Sequence, residues 1–280
     1  MKNIAPRSPA KRPDVVGVHE RRTRSHESRG RPRLLSLALL ASLTGPPRRF
    51  PAPSLRAIVT LMATYVLIHG AGDSAWYWSL VAPALRSRGH DVVAVDLPCE
   101  DESAGWPAYT DAVLQAIGSR TNLVVAAQSF GGFTAPLVCA ARQVDLLILV
   151  AGMVPAPGET PDQYWAATRY HEATRGTAHG DTTAVFYHDV APAIAAEALK
   201  HGRKQAEAIG NLPWPLPRWP DVPVRFLLCR DDRLFPAAWL RGVVRERLGI
   251  EADEIDGGHC PALARPDELV ARFEAYREQR

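Results

Sequence analysis

Leu123-Val124-Val125-Ala126-Ala127-Gln128-Ser129-Phe130-Gly131-Gly132 is a short apolar run that breaks at a serine and passes into two glycines. Phe133-Thr134-Ala135-Pro136-Leu137-Val138-Cys139-Ala140-Ala141 follows and reads as a helix. A strand, a tight turn with serine at its apex and a helix make a nucleophile elbow, in which the serine backbone is strained and its hydroxyl exposed. So sharp a turn needs almost no side chain two residues before and two residues after the serine. Those residues are Ala127 and Gly131. The usual pattern has glycine at both, so Ala127 departs from it by the smallest side chain. A plain strand-to-helix turn with an N-capping serine would use the same residues, and the rest of a site has to be found elsewhere in the chain.

Upstream, Thr64-Tyr65-Val66-Leu67-Ile68 reads as a strand running into His69-Gly70-Ala71-Gly72-Asp73-Ser74. Trp76, Leu80, Ala84 and Leu85 then recur at helical spacing, and Gly89 closes that helix. Val92–Val95 is the next strand, and a helix carrying Tyr109, Val113, Ala116 and Ile117 stops at Gly118. Downstream of the elbow lies Asp145-Leu146-Leu147-Ile148-Leu149-Val150. These strands are continuous apolar runs, as expected where helices cover both faces of a parallel sheet. Strand and helix alternate, which predicts an α/β fold with a doubly wound, mostly parallel sheet.

The alternation lapses from Met153 to about Pro220, a stretch rich in Trp, His, Ala and Pro with helical segments expected near 160–175 and 192–209. An insertion at this point is expected to form a helical cap over the strand ends, where pockets gather. Its aromatics Trp165, Tyr187, Trp214 and Trp219 are candidates for an apolar pocket. The core pattern resumes with Val222–Cys229, then Arg230-Asp231-Asp232-Arg233-Leu234-Phe235-Pro236, and a helix over Ala237–Leu248. A short strand at Asp253–Asp256 precedes Gly257-Gly258-His259-Cys260-Pro261, and a closing helix from Pro266 places Leu269, Phe273 and Tyr276 on one face.

Ser129, Asp232 and His259 each stand at the C-terminal end of a predicted strand, and in a parallel sheet those ends share one edge. A serine hydroxyl needs a base within hydrogen-bond reach to act as a nucleophile at neutral pH. Histidine titrates in the useful range and can take the proton and later return it to the leaving group. A carboxylate must hold the imidazole in the right tautomer. Asp232 is preferred because the acid commonly lies four residues before a proline, here Pro236, and Asp231 stays open as the alternative. Acyl transfer also needs donors for the developing oxyanion, each worth about 3 kcal/mol. The N–H of Phe130, at the start of a helix, is one candidate, and the N–H of Ala71 in the glycine-rich loop is the other.

Of the 33 Lys and Arg, 13 fall in residues 1–61 against 3 Asp and Glu, which leaves 20 basic and 27 acidic residues in 62–280. The body is therefore mildly acidic, the wrong sign for a face that binds nucleic acid. Residues 1–61 have the Arg-, Pro- and Ser-rich composition of a disordered leader. The patch Leu34–Leu43 within it has the look of a signal-peptide core but is too short to span a bilayer. No clean cleavage site follows it, and Arg48, Arg49 and Arg56 oppose export, so Met62 is preferred as the functional start. Four dispersed cysteines, Cys99, Cys139, Cys229 and Cys260, fit a reduced, cytoplasmic inventory. No metal cluster and no G-x-G-x-x-G phosphate loop competes, so a cofactor-free domain over residues 62–280 with a small-molecule substrate, and with neither nucleic acid nor membrane as partner, is expected.

The stretches Val66–Trp78, Ala127–Gly132 and Gly257–His259 together resemble the α/β-hydrolase superfamily, and the first of them resembles the branch of plant methylesterases and hydroxynitrile lyases. The resemblance covers roughly Met62 to Arg280, with Met153–Pro220 aligning poorly. It implies catalytic roles for Ser129, Asp232 and His259. The lyases carry a threonine where this chain has Gly70 and a lysine where it has Cys260, so the resemblance implies ester hydrolysis and not cyanohydrin cleavage. The expected activity is a serine hydrolase cleaving a small, largely apolar carboxylic ester through an acyl-enzyme. Alternatives on the same scaffold are C–C bond or lactone hydrolysis, acyl transfer, or a receptor for a small ligand.

Overall fold

The computed structural model describes residues 62–175 and 181–279; the expectations for the leader, including Leu34–Leu43, fall outside these residues. Six strands form one sheet: β1 (Thr64–Ile68), β2 (Asp91–Val95), β3 (Leu123–Gln128), β4 (Leu146–Val150), β5 (Val224–Cys229) and β6 (Asp253–Ile255). Their order is β2-β1-β3-β4-β5-β6, and every pairing is parallel. All five residues of β1 and β4 and all six of β3 are buried, as continuous apolar strands covered on both faces must be.

Alternate residues feed two cores. Val66, Ile68, Val125, Ala127, Leu147, Leu149, Phe226 and Leu228 face helices α2 (Trp106–Ile117), α3 (Gly131–Ala141) and α8 (Ala237–Leu248). Tyr65, Leu67, Val124, Ala126, Ile148, Val150, Leu227 and Cys229 face α1 (Val81–Ser87) and α10 (Pro266–Glu278). The closing helix α10 buries Leu269, Phe273 and Tyr276, as its spacing predicts.

Three sequence expectations are corrected. The single helix through Trp76 and Leu80 is a 3-10 turn, Ala75–Trp78, followed by α1. Three residues per turn instead of 3.6 rotate the buried face, so Tyr77, Trp78, Val81, Ala82 and Leu85 enter the core and Leu80 is exposed. Between β4 and β5, the segment near 160–175 divides into α4 (Pro161–Ala167) and α5 (Tyr170–Ala173), broken where Arg169 takes φ +56°. After α6 (Thr182–Phe186), α7 runs only over Pro192–His201, and a 3-10 turn at Ala208–Asn211 ends the stretch. A one-turn helix α9, Pro261–Ala264, precedes α10.

A buried ion pair fixes the base of the β4–β5 segment. Arg247, near the end of α8, holds Glu159 through two bonds of 2.6 and 2.7 Å and also donates to the Val154 carbonyl at 2.6 Å. Its guanidinium lies 5.0 Å from the centre of the Tyr164 ring.

Candidate active site

Ser129 takes φ +51°, left-handed for a residue with a side chain, a conformation that costs about 1–3 kcal/mol. Its backbone is over-determined by neighbours. The N–H donates to the Val150 carbonyl at 3.2 Å, and the carbonyl accepts from Gly132 at 3.0 Å and Met153 at 2.9 Å. A β-carbon at Gly131 would approach the His69 carbonyl oxygen to 2.8 Å, and one at Gly132 would collide with the Met153 carbonyl. Ala127 is fully buried between Ile68 and Leu149, and the turn forms with alanine there.

The acid and the histidine meet. Asp232 Oδ2 lies 2.7 Å from His259 Nδ1, while its Oδ1 accepts the N–H groups of Leu234 at 2.8 Å and Phe235 at 2.9 Å. With a carboxylate on Nδ1, that nitrogen carries the proton and Nε2 is left as the acceptor. His259 Nε2 is buried without a protein hydrogen-bond partner among the described residues. It makes no hydrogen bond to the Ser129 hydroxyl, although both residues line one cavity of about 460 Å³. Such bonds often tighten only when substrate is bound. Phe235 and Phe186 meet the imidazole edge-on at centroid distances of 4.9 and 5.4 Å, and Gln128 Nε2 donates to the His259 carbonyl at 3.1 Å. Asp231 has a different task. Its N–H and carboxylate clasp Gly257 with bonds of 3.0 and 3.1 Å, bracing the loop that carries His259.

Ala71 and Phe130 also line the cavity. Neither N–H donates to a protein acceptor among the described residues. The loop bearing Ala71 is held at both ends. His69 donates from Nδ1 to the Gly70 carbonyl at 2.8 Å and accepts the Leu97 N–H on Nε2 at 3.1 Å. Burial lowers its pKa to about 4, so the ring stays neutral and both bonds persist at neutral pH. Gly72 donates to Gln205 Oε1 at 3.2 Å and accepts from the Arg203 N–H at 2.6 Å.

Residues from the β4–β5 segment hold the other loops, and sequence reasoning missed them. Asp189 Oδ2 accepts the Gly258 N–H at 2.7 Å, and His188 Nε2 donates to the Asp231 carbonyl at 3.1 Å. Their only sequence signal is a polar pair shortly before Pro192, which opens a helix. Of the aromatics predicted for the pocket, Trp165 and Tyr187 line it. Trp214 and Trp219 instead pack on each other and donate to the carbonyls of Phe133 and Pro155. Burial pushes the thiols of Cys229 and Cys260 well above their ordinary pKa, which makes them poor nucleophiles. Among the described residues no group of three or more His, Cys, Asp or Glu is placed to hold a metal ion, and no helix is long and apolar enough to cross a membrane.

Comparison with known proteins agrees with this architecture. Methylesterase 7 of Arabidopsis thaliana is 24% identical over 242 residues, covering 74% of this chain and 93% of its own. Norfluorocurarine synthase 1 of Strychnos nux-vomica is 23% identical over 246 residues, covering 73% and 91%. The solved structure of polyneuridine aldehyde esterase superposes with a TM-score of 0.65 at 19% identity, over 76% of this chain and 98% of that one. The profile of the alpha/beta hydrolase family matches residues 65–272, most of the described chain and at least part of every strand of the sheet, and this protein belongs to that family.

Proposed function

We propose that this protein is a serine hydrolase that cleaves a small, largely apolar carboxylic ester, with Ser129, His259 and Asp232 as its triad. The observation that carries the reading is the Asp232–His259 contact of 2.7 Å, which leaves a buried, unpartnered Nε2 on the cavity it shares with the strained Ser129. The similarity to a methylesterase and to an esterase of the same fold supports it.

In this mechanism His259 Nε2 accepts the Ser129 proton as Oγ attacks the ester carbonyl. The N–H groups of Phe130 and Ala71 receive the oxyanion, Phe130 with the added pull of the α3 dipole. The imidazolium, steadied by Asp232, protonates the departing alkoxide and an acyl-enzyme remains. Water, activated by the same imidazole, then releases the acid and restores the serine. The β4–β5 segment acts as the cap, and its Trp165, Phe186 and Leu199 make the chamber largely apolar. Gly70 bears on the choice between hydrolysis and lyase chemistry: a β-carbon there would collide with Gln128 Oε1, so the lyase threonine does not fit without moving Gln128.

Fluorophosphonate labelling followed by peptide mass mapping tests the reading. Modification at Ser129 that disappears in H259A is the expected result, and labelling at another residue overturns it.

A further inference from the structure

The chamber over Ser129 has an unevenly polar lining. In the sheet order, β1 borders β3 on one side, while β4 and then β5 lie on the other. Residues following β4 and β5 (Met153, Leu234 and Phe235), joined by Trp165, give it apolar wall. The loop after β1 brings Asp73 to the same chamber, which Tyr187 and Cys260 also line. The Asp73 carboxyl acts electrostatically on the Tyr187 hydroxyl and on the Cys260 thiol, both of which line that chamber with it.

Asp73 is poorly compensated there. It accepts the N–H of Ser74 at 2.8 Å, and it is in no ion pair among the described residues. The basic side chains nearby are engaged elsewhere. Arg203 holds Glu100 at 3.1 Å and the Leu97 carbonyl at 3.0 Å. His201 lies 3.4 Å from Glu197 and stacks on Trp76 with centroids 4.7 Å apart. The Tyr187 hydroxyl has no protein hydrogen-bond partner among the described residues, and burial drives its pKa upward. A half-buried carboxyl and a phenol, both short of partners in an otherwise apolar chamber, are groups prepared for a polar ligand.

We propose that Asp73 and Tyr187 form a subsite for a protonated amine carried on one arm of the ester, making this a hydrolase selective for amine-bearing esters. The inference rests on the serine hydrolase reading for the reaction but not for the binding. A protonated amine supplies both the charge that Asp73 lacks and an N–H donor, and the neighbouring Tyr187 and Phe186 rings offer π faces to a cation. An ester bearing a carboxylate beside Asp73 is expected to be disfavoured by like charge. Burial, opposed by the Ser74 N–H and His201, raises the Asp73 pKa to about 6, so at pH 7.5 the group is chiefly the carboxylate that the amine requires.

Two isosteric pairs test the subsite. The first compares kcat/KM at pH 7.5 for 2-(dimethylamino)ethyl benzoate and 3-methylbutyl benzoate, which differ by a protonated nitrogen in place of a CH. The second compares, by calorimetric titration, binding of the corresponding benzamides, which are not turned over. The wild type is expected to favour the amine of each pair by about tenfold, equivalent to ~1.4 kcal/mol. D73N and D73L are expected to bring both ratios to within about threefold of unity, and Y187F to lower them less. Absence of an amine preference in the wild type, or an undiminished preference in D73L and Y187F, overturns the proposal. The hydrolase reading fails separately, through p-nitrophenyl acetate turnover that survives in S129A, while the benzamide titrations still report on the subsite.

Discussion

Removing the Asp189 carboxylate tests whether the β4–β5 segment is part of the catalytic apparatus or only a roof. Asp189 Oδ2 is the sole protein acceptor of the Gly258 N–H among the described residues, at 2.7 Å, and Gly258 immediately precedes His259. A hydrogen bond to a charged acceptor contributes roughly 1.5–3 kcal/mol. D189A forfeits that and leaves the amide of a glycine-rich loop unheld, which is expected to lower the melting temperature by about 4–10 °C. The larger effect falls on rate. A displacement of about 1 Å at a reacting group costs on the order of a hundredfold, and His259 is otherwise held through its carbonyl by Gln128 and through Nδ1 by Asp232. With those two anchors remaining, a fall of about 10- to 100-fold in kcat/KM for p-nitrophenyl acetate is expected. D189N keeps an acceptor oxygen at the same reach and is expected to restore most of it. Steady-state kinetics alongside thermal unfolding separate loss of fold from loss of geometry. Wild-type kcat/KM in D189A, or a D189N no better than D189A, would refute the positioning argument.

Three other outcomes are expected. D232N removes the acceptor from His259 Nδ1 and should lower kcat by about 10⁴, whereas D231N, which only loosens the clasp on Gly257, should cost less than tenfold; equal losses in steady-state assays would undo the assignment of the acid. E159A strands the Arg247 guanidinium in the core and should cost about 3–5 kcal/mol in urea unfolding, with the double replacement E159L/R247M recovering much of it; additive losses in the pair would contradict a coupled buried bridge. Stability against pH should carry two opposed contributions. Asp73 has a folded pKa of about 6 against an ordinary 3.8, so its contribution is present at low pH and lost as pH rises through 6. His69 has a folded value of about 4 against 6.5, so its contribution is present above 6.5 and lost as pH falls through 4. D73N keeps only the second, and its stability relative to wild type should improve by up to about 3 kcal/mol between pH 4 and pH 7. Parallel curves for the two proteins would show that Asp73 is not strained by burial.

The parts that could be read from the sequence are those whose chemistry is local. The elbow follows from Ala127, Gly131 and Gly132, because a β-carbon in the wrong place there meets backbone that cannot yield. The strands follow from unbroken apolar runs, and the closing helix from Leu269, Phe273 and Tyr276 at helical spacing. The β4–β5 segment was only partly legible, since tertiary bonds override local preference there. A helix expected to continue to Ile209 ends at His201 because the backbone beyond it bonds elsewhere: Arg203 donates to Gly72, and Ala206 donates to Cys99 at 2.6 Å. The left-handed turn at Arg169 carries no glycine or asparagine to announce it. Asp189 and Gln205 were missed for the same reason, as their partners, Gly258 and Gly72, are 69 and 133 residues away.

Ser129 is positioned by the end of β4 (Val150), the first turn of α3 (Gly132) and the start of the β4–β5 segment (Met153). The groups that would serve it are held in part from the segment between β4 and β5: Arg203 and Gln205 grip the loop of Ala71, His188 grips the loop of Asp231 and Asp232, and Asp189 grips the loop of His259. The same segment supplies Trp165, Phe186 and Tyr187 to the chamber wall. One stretch of chain thus contributes both to the chamber wall and to the bracing of the loops that carry Ala71, Asp232 and His259. If the proposed triad is correct, substitutions at Arg203, Gln205, His188 or Asp189, which brace those loops, are expected to change rate. Substitutions at Trp165 or Phe186, which line the chamber without a hydrogen bond to those loops, are expected to change substrate preference more than rate.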